Sequence, residues 1–545
     1  MRWLCSSVSR CRSTLRRKEG VTIIMANTLT LNEKLEIKKN AQYILTAMSD
    51  IGKNGDAYCT DERLLRVCKG AKPKLTVAQY RTDKVLLMQA GYLHQEGQHL
   101  YAQRTWEYEV AASECLAGIF VAPPLSLISI PDELCAGGVR LSAQQREAVI
   151  LALNSRLSVI LGGAGSGKTT LIEALVKCCY ESDALSGQTV VAAPTGKAAR
   201  NLKERTGLEA RTVHSALGKA PDDDFLDPVV WGYTDLVVID EASMMSLEML
   251  AGILSHVQSE CRVVLLGDPQ QLLSVGAGNV LPDLLTLGVP SIRLEQQYRQ
   301  SEDAAALRHN VVHFPQLYMA RELRWDDSFR LLPTNDNDIA GIVCKEATQR
   351  YAAGESVQVL SPTNTKTDFS VTALNTRLQN MLNPPLKGKP TWEGFRDGDR
   401  VIVTKNNSYY HVCNGDVGTL HIRGQEPNRS AVLELNGQRV CWPIDYVEGF
   451  DGLEDMVPPE ISLAYALTVH KSQGSQYDTI ILPVSTATAK MLYRNLLYTA
   501  ISRARREVIL IGSQEAVNIA MQCVPVPRKT KLVSRTNMLR YKRSA

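Results

Sequence analysis

Short apolar runs, each ending in small or polar residues, set the pattern of this chain. Ser158–Leu161, Thr189–Ala193, Asp235–Ile239, Arg262–Leu266 and Val357–Leu360 all lack the strict alternation of a half-exposed strand. Continuous apolar runs of that length predict strands covered on both faces, as in a parallel sheet between helix layers. The stretch from Thr170 to Val176 has helical periodicity instead. Upstream, Leu29–Met48, Asp61–Val67 and Thr76–Met88 read as helices, the last closed by Ala90-Gly91. Tyr92–Tyr101, folded at a Gln-Glu-Gly turn, reads as a hairpin. Helices followed by a hairpin predict a winged-helix-like unit, a module that binds duplex or protein or serves only as a brace. Downstream, Gly398–Thr404, Asn414–Ile422 and Ala431–Leu435 are short strands separated by Asn-Gly and Asp-Gly turns. They predict a small β-barrel set into the second half of the chain.

The turns after the apolar runs carry the candidate chemistry. After Leu161 comes Gly162-Gly163-Ala164-Gly165-Ser166-Gly167-Lys168-Thr169, which meets the spacing G-x-x-x-x-G-K-T in full, with Thr170 opening the helix. Glycines let successive backbone N–H groups turn inward on phosphates, and the helix N-terminus adds its positive end. Lys168 is placed to reach β- and γ-phosphates and the Thr169 hydroxyl to meet Mg²⁺. The run ending at Ile239 delivers Asp240 for Mg²⁺ and Glu241 to orient and deprotonate water. The run ending at Leu266 delivers Gln271, placed to feel a γ-phosphate. Gln145, just upstream of the loop, is placed to read an adenine edge. Pro194–Ala199 and His214 lie at further strand ends, where a polymer would cross the sheet. Arg299 and Arg503 each follow a strand-like segment, the placement of an arginine that stabilises transition-state charge.

Charge changes this picture little. The 545 residues carry a formal net charge of +4, but Lys and Arg crowd residues 1–25 and 528–543, leaving about −8 for the remainder. A nucleic-acid partner therefore cannot be argued from bulk charge. The 13 cysteines include no C-x-x-C, so neither a zinc site nor a disulfide scaffold is indicated. No uninterrupted run of about 18 apolar residues exists, so membrane spanning is not expected and the chain reads as cytoplasmic. The basic, Ser-rich leader fits a targeting peptide, a nucleic-acid-binding arm, or a disordered extension ahead of a start at Met25.

In order and spacing these motifs, with Gln297–Gln300, Leu467–Gly474 and Leu497–Arg505, resemble the RecD-like DNA helicases of superfamily 1, the 5′→3′ branch. The resemblance covers about residues 141–520. It implies an α/β fold of two RecA-like P-loop motor domains, with ATP between them and single-stranded DNA across their tops. An SH3-like β-barrel insertion and an N-terminal winged-helix-like domain complete the expectation. The expected division is a leader at 1–26, the winged-helix-like domain at 27–125 and motor 1 at 126–289, with a short pin near 216–234. Motor 2 follows at 290–523, with the insertion near 395–458, and a basic tail at 524–545. The resemblance assigns catalysis to Lys168, Glu241, Gln271, Arg299 and Arg503, and adds Gly474 and Gln476 to the nucleotide contacts. It assigns strand contact to Pro194, Thr195, His214, Thr363, Thr468 and His470. Expected ligands are ATP, Mg²⁺, single-stranded DNA and its junctions with duplex. The expected state is a monomer associated with the nucleoid and with repair or replication proteins.

Two departures qualify the resemblance. Many relatives continue Ser-Gln-Gly with Ser-Glu-Phe, whereas this chain has Ser475-Gln476-Tyr477. Gln476 keeps an acceptor oxygen but loses the charge, which predicts altered nucleotide coupling rather than inactivity. No tandem helix-hairpin-helix segment or nuclease carboxylate cluster is evident. An RNA helicase of the same superfamily and a non-nuclease motor subunit of a recombination nuclease complex are the alternatives.

Overall fold

Buried on both faces, the apolar runs become the strands of two parallel sheets. The computed structural model describes residues 29–544 apart from 132, 164, 183–184, 186–187, 220–222, 227–230, 232–233, 296–302, 408, 427, 436 and 446–456. In the first sheet Leu157–Gly162 and Arg262–Gly267 pair at the centre. Across the sheet the order is Ser291–Leu294, Leu157–Gly162, Arg262–Gly267, Thr234–Ile239, Gln188–Ala193, Ala210–Thr212, every pair parallel. Val159 and Leu265 point to one core, Ile160 and Leu266 to the other, so the period-two side-chain alternation feeds both helix layers. The second sheet runs Phe329–Pro333, Ala504–Gly512, Tyr477–Val484, Val357–Ser361, Ala466–Thr468, again parallel throughout.

Between two strands of that second sheet lies an antiparallel one. Its order is Gln438–Pro443, Ser430–Leu435, Val417–Arg423, Asp399–Val403, Ile461–Leu463, packed around Trp442, Leu433 and Val401. The fifth strand therefore falls beyond the expected end near 458. At the root of this unit the fully buried Asp399 carboxylate accepts from Gln379, Asn383 and Tyr465 at 2.6, 2.7 and 3.0 Å. A buried carboxylate with three side-chain donors fixes the insertion to its motor.

The N-terminal unit holds a three-stranded antiparallel sheet, Tyr58–Thr60, His99–Ala102 and Leu93–Glu96, beside four helices. The single helix expected over Leu29–Met48 is two, Leu31–Asn40 and Gln42–Lys53, because Ala41 leaves helical geometry at φ −105°, ψ 19°. Neither Gly nor Pro marks that break. Thr30 and Glu33 form a capping box at its start. A long helix, Gln103–Val121, follows the hairpin and packs on Leu247–His256 of the first motor.

The C-terminal stretch is not a free basic tail: Leu532–Ser544 is a helix packed along Gln103–Val121, with Leu532 fully buried. The described residues of the expected pin at 216–234 are anchored on the first motor and the N-terminal unit. Phe225 is buried against Tyr108 and His214, and the Trp231 indole donates to the Ala216 carbonyl at 2.6 Å. Parts of that segment, the leader at 1–26 and Arg299 lie outside the described residues. No described helix is long and apolar enough to cross a membrane.

Candidate active site

The carboxyl ends of the first sheet and, from the second motor, residues at the starts of strands Tyr477–Val484 and Ala504–Gly512 close around a cavity of about 320 Å³. Gly165 to Thr169, Asp240, Glu241 and Gln271 line it from the first motor; Gln476, Arg503 and Arg505 line it from the second. Gly165 and Gly167 hold φ of 87° and 81°, the left-handed conformation the loop turn requires and other residues resist. Gly167 caps the helix Lys168–Glu181, whose first N–H groups thus face the cavity. Lys168 Nζ donates to the Gly162 and Gly163 carbonyls at 2.5 and 2.9 Å, holding the ammonium on the loop it would leave for phosphate. Ala164 lies outside the described residues.

Glu241 takes φ 50°, a strained value for a side chain of its size, and its N–H donates to Asp240 Oδ1 at 2.8 Å. Dense packing around the Asp240 carboxyl, and the Glu241 charge beside it, push its pKa up. Two crowded carboxylates next to Thr169 form an oxygen donor set that a divalent cation would relieve, so these residues fit Mg²⁺.

The second motor reaches the first through buried hydrogen bonds. Arg503, 2% exposed, donates through Nη2 to Gln271 Oε1 at 2.8 Å, and Gln271 is itself 3% exposed. Around this pair, Tyr498 donates to Asp268 at 2.8 Å, Thr499 accepts from Leu272 N at 3.1 Å and Asn495 donates to the Gln271 carbonyl at 3.1 Å. Asp268, Asn495, Tyr498 and Thr499 were not singled out from sequence, although both motifs holding them were. The signal was a polar face on the buried helix Arg494–Ile501.

The remaining expected residues divide by position. Gln145 is buried and serves the capping box of helix Ala143–Leu153, its Oε1 accepting from Ser142 N at 3.0 Å. Neighbouring Gln144, unremarked in the sequence, joins Arg293 and Glu295. Thr170 follows Thr169 in the loop helix, away from the cavity-lining set. Gly474 accepts from Asn201 at 2.6 Å, a contact between motors. Thr195 caps helix Gly196–Thr206, whose Lys197 and Arg200 bond Gly415 and Asp416 of the insertion at 2.6 Å each. Pro194 and Thr363 are buried, Thr468 caps the turn at His470–Ser472, and His214 is half-buried against Phe225. Burial holds the His214 imidazole below its ordinary pKa. The His470 ring reaches solvent although its surroundings are dense, and that crowding lowers its pKa too.

Three protein families match in chain order. The AAA domain matches residues 140–315, the ATP-dependent RecD-like DNA helicase SH3 domain residues 374–432, and the UvrD-like helicase C-terminal domain residues 463–511. The ATP-dependent RecD2 DNA helicase of Deinococcus radiodurans is 33% identical over 402 residues, which is 72% of this chain and 52% of the relative. The chain is similar in sequence to RecD-like helicases along most of its length. The RecBCD enzyme subunit RecD of Mycolicibacterium smegmatis is 29% identical over 479 residues, covering 80% of this chain and 82% of that one. This RecD-like chain thus spans about half the length of the Deinococcus relative and most of the mycobacterial one. The crystal structure of Pif1 helicase from Candida albicans superimposes with a TM-score of 0.44 at 18% identity, over 74% of this chain and 100% of that one. This chain's own architecture is mixed α/β, with two parallel sheets and the SH3-domain match inserted in the second.

Proposed function

We propose that this chain is an ATP-dependent DNA helicase that moves 5′→3′ along one strand and opens tailed duplex. The observation that carries the reading is the shared cleft, in which Lys168, Glu241 and Gln271 of one motor meet Arg503 of the other. In this reading Gly162, Gly163, Ala164, Gly165, Ser166 and Gly167 wrap the phosphates, and Lys168 moves from its carbonyls to the β- and γ-phosphates. Glu241 orients and deprotonates the attacking water, held in place by its strained backbone. Thr169 and Asp240 would hold Mg²⁺, which supplies charge neutralisation to the phosphates when bound. Arg503 stabilises the charge that develops on the transferred group, and releases or regains Gln271 as it does so. That exchange ties nucleotide state to the spacing of the motors. Arg299 is proposed as a second such arginine.

Pro194, Thr195 and His214 of motor 1, with Thr363, Thr468 and His470 of motor 2, are the proposed strand contacts. Alternating grip on the backbone makes movement largely independent of sequence, and each opened base-pair step costs about 1.4 kcal/mol of stacking. Action as a monomer on nucleoid DNA, beside repair or replication proteins, completes the proposal.

The test is unwinding of matched duplexes with a 5′ or a 3′ tail, with Lys168→Ala as control. Opening of only the 5′-tailed duplex, lost in Lys168→Ala, is the expected result; opening of only the 3′-tailed one overturns the direction. Similarity along most of a RecBCD subunit favours a second reading, a motor subunit that needs a partner. Strand-stimulated ATPase with no opening of either duplex supports it. Stimulation by RNA in place of DNA would reassign the polymer.

A further inference from the structure

Two arginines line the cleft besides Arg503. Arg205 comes from the end of helix Gly196–Thr206 and Arg505 from the first residues of strand Ala504–Gly512. Arg505 and Arg503 stand two apart in sequence but in opposite situations. Arg503 is buried and engaged with Gln271 and the Thr499 carbonyl. Arg505 is exposed, and among the described residues its side-chain partner is Gln476, whose Oε1 accepts from Arg505 Nε at 3.1 Å. That bond uses the inner nitrogen of the guanidinium and leaves both terminal nitrogens for a ligand. The partner is a neutral amide. A carboxylate there would neutralise the arginine and add negative charge beside an incoming polyphosphate; Gln476 orients the guanidinium while leaving its charge uncompensated.

We propose that Arg505 binds the phosphate chain of the nucleotide from the second motor, with Gln476 as its positioning residue. The inference rests on the cleft being a nucleoside-triphosphate site and adds a ground-state binding contact to it. Arg503 is buried and reaches phosphate only by exchanging Gln271; Arg505 is poised before nucleotide arrives. The two therefore divide the work, Arg505 toward capture and Arg503 toward turnover.

Strand-stimulated ATP hydrolysis by the full-length protein, followed over ATP concentration, tests this with Arg505→Ala, Arg505→Lys, Gln476→Glu and Lys168→Ala. Loss of a charge-assisted contact present in both ground and transition states raises KM by about tenfold or more and changes kcat much less. Arg505→Lys recovers part of that loss, because the charge remains and the fork does not. Gln476→Glu raises KM in the same direction, and in an Arg505→Ala background its effect differs by more than about twofold, since the pair is coupled. A KM within about twofold of the parent for Arg505→Ala, with parental ATPase intact, overturns the inference and leaves the proposed function standing. Absence of hydrolysis and of fluorescent-ATP binding in the parent protein overturns the proposed function itself. Equal loss of kcat in Arg505→Ala and Arg505→Lys, with KM unchanged, moves Arg505 into turnover and also rejects the assignment.

Discussion

Glu241 joins the proposed base of the cleft and its backbone strain in one residue. Its φ of 50° is an expensive backbone state for glutamate, and the Asp240 carboxylate that takes its N–H helps to hold it there. Glu241→Gln keeps the shape and removes the proposed base. Hydrolysis should fall by about 100-fold or more while fluorescent-ATP binding survives; parental turnover would remove Glu241 from catalysis. His214 offers a second residue-scale test. Burial holds its imidazole below the ordinary value of 6.5, so above that pH both folded and unfolded forms are neutral. As pH falls, the unfolded imidazole takes a proton first, and stability is lost as the pH drops through the folded value. The urea midpoint should therefore decline as the pH falls below 6.5, and His214→Gln should flatten part of that decline. An unchanged slope would assign the acid sensitivity to other groups.

Elements carry the coupling between motors. Helix Arg494–Ile501 presents Asn495, Tyr498 and Thr499 to the turn after strand Arg262–Gly267, and all three bond it. Tyr498→Phe removes one buried hydrogen bond from Asp268 and should cost about 1–2 kcal/mol, read in the urea midpoint. DNA stimulation of hydrolysis should drop with it, because Asp268 also accepts from Gln271. Stimulation equal to the parent would place the coupling elsewhere. This junction also marks where sequence stops being readable. The loop at 162–169, Asp240 and Gln271 were legible because each follows a buried strand, and period-two burial is a local property. The helix–turn bonds join residues more than 220 positions apart, and no local pattern specifies which polar side chains face one another. Ala41 is a related case: a helix broken without Gly or Pro leaves no mark in composition.

At the scale of the molecule, the chain's last stretch returns from the second motor to the first and to the N-terminal unit. Arg528 donates to Ser274 Oγ at 2.7 Å and to the Gly278 carbonyl at 2.8 Å, and Lys529 N donates to Asp56 at 2.8 Å. The fully buried Glu109 takes the next residues, accepting from Thr530 Oγ1 at 3.0 Å and Lys531 N at 2.8 Å. Its other oxygen accepts from Tyr101 at 3.1 Å and lies 3.6 Å from Arg535. A reading of charge alone makes this segment a basic tail, because the acids that pair with it, Glu96 and Glu109, lie over 400 residues upstream. Glu109→Gln places an amide N–H against one of these donors and takes one of two counter-charges from Arg535, which keeps Glu96 at 2.9 Å. Breaking a buried, multiply bonded carboxylate in this way should cost about 2–4 kcal/mol, lowering the urea midpoint with little change in slope. Arg540→Ala loses only a guanidinium 4.0 Å from the Phe120 ring and should cost under about 1 kcal/mol. If Glu109→Gln matched the parent, the strap would be a surface appendage. With the midpoint lowered, strand-stimulated ATPase measured well below the transition should persist, since no residue of the strap lines the cleft.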